Sequence, residues 1–176
     1  REILRIGARD LSGRAAMGDI TNELSWLADA TIQMAVEAAS QEINERYGRI
    51  ETQLAVIGVG KLGGEELNFS SDIDIIYIFG DESQTDRSIR IARRITEILS
   101  ESTDEGAFYR VDLRLRPSGS RGPIASPLVA VQTYYDSWGE TFERLALTKA
   151  RVVAGDAGAG ARFMDLIEPF VYRKYL

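Results

Sequence analysis

The spacing of apolar positions changes several times along this chain, and each change marks an element. Over residues 21 to 47, Leu24, Leu27, Ala28, Thr31, Ala35 and Ala39 recur at three- and four-residue intervals, which predicts one long helix stopped by Gly48. TQLAVIGVG is then continuously apolar, partly β-branched and bounded by glycine, the pattern of a buried strand. KLGGEEL has room for one or two helical turns. DIDIIYIFG alternates at its start and is wholly apolar from Ile75 to Phe79, which predicts a second strand. Asp86 is placed to cap a helix running to about Ser100, with Ile91, Ala92, Ile95, Ile98 and Leu99 on its buried face. FYRVDLRLRP alternates again and reads as a third strand ended by Pro117. Ser126 followed by Pro127 reads as an N-cap with proline at the first helical position, opening a helix through Trp138. A further helix is predicted from about Glu140 to Ala154, with Gly155 past its end, and a short last one, about 160 to 167, before Pro169.

These elements predict an α+β fold: a small mixed sheet with helices before and after it. The expected organisation is a helical lead-in over residues 1–50, a sheet core over 51–125 and C-terminal helices over 126–176. A length of 176 residues suffices for one well-cored domain. There is no internal repeat and no low-complexity tract. The chain begins abruptly at REILRIGARDL and stops at FVYRKYL, a hydrophobic, aromatic end with no polar tail, so both ends read as cuts within a longer polypeptide.

Composition changes the picture mainly by what is missing. The chain has no histidine and no cysteine. That excludes histidine acid–base catalysis, Ser-His-Asp triads, thiolate chemistry, disulfides and nearly all zinc sites. Chemistry is left to carboxylates, Lys, Arg, Tyr and hydroxyls, with a hard metal as the natural helper. No run approaches a membrane span and no secretory leader opens the chain, so the expectation is a cytoplasmic protein without a membrane partner. The net charge of −6 argues against nucleic acid as the main partner, because that affinity comes from neutralising phosphates. Locally the balance reverses, with Arg110, Arg114, Arg116 and Arg121 close together.

The segment from 60 to 74, GKLGGEELNFSSDID, carries more than a turn requires. Residues two apart in a strand share a face, so Asp72 and Asp74 point the same way, as do Arg110, Asp112, Arg114 and Arg116 further on. Taken singly, each feature has a plain reading. A lone D-x-D is usually a solvated turn, alternating charges an amphipathic edge, and Gly63-Gly64 a bend. Their conjunction is what carries weight: an apolar strand ending in glycine, a short loop-helix, D-x-D opening the next strand, and another Asp on a later one. Carboxylates at i and i+2 set four hard oxygens together, as magnesium prefers, and a third carboxylate would complete a two-ion site for phosphoryl chemistry. Arginines on that face suit bidentate contact with phosphate oxygens.

This order resembles the DNA polymerase β-like nucleotidyltransferase superfamily, whose pattern is an apolar strand, Gly-Ser at a helix start, about ten residues, then Asp-x-Asp/Glu and a later third acid. The counterparts here are Val59-Gly60, Asp72-Ile73-Asp74 and Asp112. Lys61 stands where that family generally has serine. The missing hydroxyl is then absent or supplied by Ser70 or Ser71, while Lys61 offers a charge to phosphate instead.

Three longer motifs, GKLGGEELNFSSDIDIIYIF, YRVDLRLRPSGSRGPIAS and ERLALTKARVVAGD, together resemble the glutamate–ammonia ligase (glutamine synthetase) adenylyltransferase family over about residues 54 to 176. The resemblance implies a nucleotidyltransferase-type sheet and two magnesium ions on Asp72, Asp74 and Asp112. It implies glutamine synthetase as protein substrate, ATP/ADP and phosphate as small partners, and a nitrogen-signalling regulatory protein as a further one. Enzymes of that family carry two nucleotidyltransferase halves, one attaching AMP to a tyrosine of glutamine synthetase and the other removing it by phosphorolysis with release of ADP. ELNFSSDID, YRVDLRLRP followed by SRGP, and FVYRKYL are more similar to the N-terminal, adenylyl-removing half. On this resemblance Gly60, Lys61, Ser70 and Ser71 belong to the phosphate loop, and Arg114 and Arg116 grip phosphate. Lys149 and Arg151 either meet nucleotide phosphates or, with Glu143, form ordinary pairs on a solvated helix; Glu143 has the further reading of turning an arginine toward the site. Tyr134, Tyr135 and Trp138 read more readily as core than as an adenine platform. The alternatives are the transferring half, a related enzyme acting on a small molecule or RNA, and a non-catalytic domain that senses nucleotide.

Overall fold

In a computed structural model, which describes residues 1–102 and 108–172, the chain is built around an antiparallel pair of strands, β1 (Leu54–Val59) and β2 (Ile73–Phe79). Leu54 lies opposite Phe79 and Val59 opposite Asp74. Every residue of β1 is buried, as its unbroken apolar run requires. The short strands β3 (Val111–Asp112) and β4 (Ala125–Pro127) both run parallel to β2, β3 beside its start and β4 beside its end. On the other side of β1 lies β5 (Arg151–Gly155), antiparallel, with an irregular step at Val56/Ile57. The sheet is open, mixed and of order β3-β2-β1-β5.

Among the described residues seven α-helices accompany the sheet: α1 (Glu2–Leu11), α2 (Met17–Tyr47), α3 (Gly60–Gly63), α4 (Thr85–Ser100), α5 (Leu128–Ser137), α6 (Thr141–Leu147) and α7 (Ala157–Val171). Strand alternation divides the core in two. Ile73, Ile75, Tyr77 and Phe79 pack with Leu54 and Val56 under α2 and α4. Ile76 and Ile78 pack with Ala55, Ile57 and Val59 against α5 and α7. The same alternation puts Asp74 on the second face. None of the described helices is long and apolar enough to cross a membrane.

The α+β class is as the apolar pattern predicts, but five local expectations differ. The strand expected over 108–117 pairs only at Val111 and Asp112. The Asp112 carboxylate accepts the N–H of Arg114 at 2.8 Å and bends the chain, as an Asx turn does, so Arg114 and Arg116 leave the strand. The helix expected to 154 stops at Leu147, and the β-branched Val152-Val153 pair enters the sheet as part of β5. Ser126 and Pro127 belong to β4, so α5 begins one residue later than proline at the first helical position would have it. A 3₁₀ turn at Glu82–Gln84, capped by the Asp81 carboxylate accepting from Ser83 N–H at 2.9 Å, precedes α4 and leaves Asp86 inside its first turn. Finally α7 runs through Pro169, because Val171 is buried and Phe170 stacks on Tyr135 at 4.9 Å. Residues 173–176 of the closing motif lie outside the described residues.

Helix α2 is part of the first core and not an appendage, since Ala28, Ile32 and Ala39 have no exposed surface. Ile32→Ala is expected to cost about 2–5 kcal/mol through lost burial and the cavity left behind. Urea unfolding checks this by a lower midpoint at unchanged slope.

Candidate active site

Parallel pairing places Asp74 and Asp112 as direct neighbours across β2 and β3, and Asp72 lies two residues before Asp74 on the same side. The three do not share one environment. Asp72 is exposed and accepts from the Arg110 guanidinium, whose other arm donates to the Ser70 carbonyl at 2.7 Å. Asp112 is half-buried and accepts from Arg114 Nε at 2.9 Å and Nη2 at 2.5 Å. Asp74 is half-buried, and among the described residues no donor is bonded to it. Burial first, then the charges of Asp112 and Asp72, push its carboxyl above the ordinary range, partly offset by Arg114 and Lys61. The hydrogen bonds from Arg114 hold Asp112 below that range despite some burial. Two adjacent carboxyls are thereby driven in opposite directions.

The loop between β1 and β2 closes over Asp74. Gly60 has φ +57°, and a Cβ there would stand 2.7 Å from Asp74 Oδ2. The loop therefore needs glycine both for its backbone conformation and for contact with the carboxylate. Lys61 follows, exposed, in the single turn of α3. The two glycines at the end of that turn are unequal. A Cβ on Gly63 would lie 2.0 Å from the Lys149 carbonyl oxygen and 2.6 Å from that of Gly58, both rigid backbone. On Gly64 it would meet chiefly the flexible end of Lys149, at 2.9 Å. Gly63 is thus where the turn before β5 packs directly on the loop. Glu65 takes φ +56°, and its side chain accepts from Trp26 Nε1 at 3.1 Å. Leu67 N–H donates to Ser25 Oγ at 3.2 Å, buried.

The remaining predicted site residues are used locally. Asn68 gathers the N–H of Ser70 (3.1 Å) and the hydroxyl of Ser71 (2.8 Å), which shapes the approach to Asp72. Arg116 donates to the carbonyls of Leu113 (2.7 Å), Pro123 (3.0 Å), Gly122 (3.1 Å) and Ser120 (3.2 Å), so its guanidinium is the post around which residues 113–123 wind. Lys149 pairs with Glu66 at 2.6 Å. Arg151 grips Asp29 with both arms, at 2.6 and 3.1 Å, and also donates to the Leu62 carbonyl at 3.0 Å. Glu143 is 3% exposed and accepts from Tyr134 Oη at 3.0 Å and from its own helix start, Glu140 N–H, at 2.8 Å. It closes the first turn of α6 and faces no arginine of the site. Of the aromatic trio, Tyr135 is core, Tyr134 serves Glu143, and Trp138 is 73% exposed.

Two residues at this end of the sheet were not singled out as site residues by sequence. Arg110 had a visible signal, because it shares a strand face with Asp112. Asp29 had none, being a single acid on a long helix. Chemically, the three carboxylates form an oxygen-only donor set beside Lys61 and Arg114, which suits a hard divalent cation with phosphate as its remaining ligand. Among the described residues no three acids are yet drawn around one point. Asp72 and Asp112 face Arg110 and Arg114 instead.

The family model described as glutamate-ammonia ligase adenylyltransferase matches residues 1–166. A Nitrosococcus oceani protein named bifunctional glutamine synthetase adenylyltransferase/adenylyl-removing enzyme is 42% identical over all of this chain and 20% of its own length. Proteins of the same name from Thioalkalivibrio sulfidiphilus and Pseudomonas aeruginosa are 41% and 40% identical, each likewise over the whole chain and 20% of the relative. The chain spans about a fifth of the length of the curated relatives it matches.

Two outcomes follow from the geometry. Gly63→Ala is expected to destabilise by roughly 3 kcal/mol, as overpacking against backbone does, whereas Gly64→Ala stays within about 1 kcal/mol of wild type; paired denaturation curves distinguish them. Asp74→Asn is expected to raise the metal-free melting temperature by about 2 °C at neutral pH. A raised folded-state value means that the ionised carboxylate opposes folding above that value and stops doing so below the unfolded one. The advantage of the amide therefore shrinks as pH falls into the carboxylate range, which melting curves across pH record.

Proposed function

Because the chain belongs to the glutamate-ammonia ligase adenylyltransferase family, we propose that it carries one nucleotidyl-transfer centre of such a bifunctional enzyme, and that its reaction is phosphorolytic removal of AMP from an adenylylated tyrosine of glutamine synthetase. The observation that carries this reading is the parallel register that sets Asp74 beside Asp112, with Asp72 two residues away. ELNFSSDID and YRVDLRLRP with SRGP favour the removing half. On this reading the cytoplasm is its compartment, phosphate and ADP are its small-molecule partners, and a nitrogen-signalling protein acts on the longer enzyme.

Asp72, Asp74 and Asp112 would hold two magnesium ions, which would offset charge building on the phosphoryl oxygens and on the departing tyrosinate. Lys61 and Arg114, whose charges reach Asp74, orient the AMP phosphate and the incoming phosphate. An oxygen of inorganic phosphate bonds to the adenylyl phosphorus as the phosphorus–tyrosyl oxygen bond breaks. AMP leaves as ADP, and the tyrosinate takes a proton from water. No protein nucleophile is required, which suits a chain without histidine or cysteine.

Incubation with adenylylated glutamine synthetase, phosphate and magnesium is expected to release ADP. Asp112→Asn is expected to lower that rate by about 10²–10³-fold with little change in melting temperature. Incorporation of AMP from ATP into unmodified glutamine synthetase would assign the transferring half instead. Inactivity of the wild-type chain in both assays would overturn the reading.

A further inference from the structure

The loop from Gly60 to Leu67 has a few backbone bonds of its own, from Gly64 N–H to Gly60 O (3.1 Å), Glu65 N–H to Leu62 O (3.2 Å) and Glu66 N–H to Lys61 O (2.8 Å), but little else within it fixes its shape. Helix α3 is a single turn, too short to persist alone. Left-handed backbone at Gly60 and at Glu65 brackets it, and for Glu65 that conformation is strained. The contacts that support it from outside come from α2 and from the segment leading into β5.

We infer that Arg151 and Asp29 are positioning residues for this loop, setting Gly60 and Lys61 against Asp74 through the carbonyls of Leu62 and Gly63. The inference rests on the functional reading above for what the loop does, but not for how it is held. Arg151 Nη1 and Nη2 meet Asp29 Oδ2 and Oδ1 at 2.6 and 3.1 Å, a bidentate pair. The same guanidinium donates from Nη2 to Leu62 O at 3.0 Å and from Nε to Gly63 O at 3.4 Å. Those are the last two carbonyls of α3, where the helix runs out of its own N–H groups, although Leu62 O also accepts from Glu65 N–H at 3.2 Å.

Each end of the link is anchored. Asp29 follows the fully buried Ala28 on α2, one turn before the fully buried Ile32, so its backbone is fixed by the first core. Arg151 opens β5 and pairs with Gly58 of β1. Both side chains are largely shielded, at 20% and 28% exposed, so water competes weakly for the pair. A route therefore runs from the core helix through Asp29 and Arg151 to the loop, and from Gly60 to the carboxylate it touches. Neighbouring contacts support it: Lys149 O packs on Gly63, Lys149 Nζ pairs with Glu66, and Trp26 and Ser25 of α2 hold Glu65 and Leu67. A bidentate phosphate contact by Arg151 would have to displace part of this set, because four of its five N–H groups are already engaged. The planar fork matters, because a lysine ammonium cannot meet Asp29 and both carbonyls together.

The test uses Arg151→Lys and Asp29→Asn in this chain, with Ile91→Ala on α4, beside the far end of α2, as a variant destabilised away from the loop. Hydrogen exchange of the amides from 60 to 67, followed without substrate or metal, is expected to quicken by about tenfold in both loop variants and not in Ile91→Ala. In the phosphorolysis assay kcat is expected to fall by tenfold or more, up to about 10²-fold. KM for adenylylated glutamine synthetase is expected to stay near the wild-type value. The double variant should lose little beyond either single one, since both break the same link. Unchanged exchange over 60 to 67, or a kcat loss matched by an equally destabilised Ile91→Ala protein, would overturn the positioning role. If wild type shows no turnover with either form of glutamine synthetase, the functional reading fails, and the exchange measurement still decides this one.

Discussion

Setting two carboxylates abreast on neighbouring strands is unfavourable, and much of this fold acts to keep them there. Asp74 cannot turn away, because Ile73 and Ile75 on either side of it are locked into the opposite core. A slip of one residue would carry the charge inward and the isoleucines outward. Strand β2 is paired on both edges, by β1 along its length and by β3 and β4 at its two ends, so its start is held as firmly as its middle. The apolar layers above and below supply the stability that offsets this local cost.

Around that fixed pair the charges divide by accessibility. The outer acids, Asp72 and Asp112, each have an arginine from the same short stretch of chain, Arg110 and Arg114. Both arginines are well exposed, so they can exchange their partners for other anions. Asp74, between them, lies under the glycine loop instead. The arginines that are more shielded, Arg116 and Arg151, hold backbone carbonyls. Exposure thus separates the arginines paired at the rim from those bonded into the backbone around it.

How much of this was legible in the sequence follows from the range of the interaction concerned. The buried pair β1 and β2, the D-x-D opening β2 and the third acid are marked by continuous apolar runs and by period-two alternation, both of which are local. The two-residue strand β3 leaves no comparable mark, and the Asx turn made by Asp112 ends an alternation that looked set to continue through Arg116. Strand β5 was hidden because its five residues follow a helix rich in Leu and Ala without a proline or glycine between them. The reason for Gly63 was illegible for a different cause: the atom it must avoid is the carbonyl of Lys149. The same holds for Asp29 and Arg151, which stand 122 positions apart and whose identities carry no sign of each other.

That last separation has a consequence for how the site comes into being. The D-x-D hairpin is nearly contiguous, yet the atoms that shape its loop from the far side arrive from beyond residue 148. Closing such a distance carries an entropic cost that is recovered only when β5 docks beside β1. A polypeptide emerging from the ribosome can own every acid of the site and still lack the geometry around them. The geometry around those acids is then a property of the completed sheet: a nascent or truncated chain ending before β5 keeps the contacts from Ser25 and Trp26 but lacks those of Lys149 and Arg151.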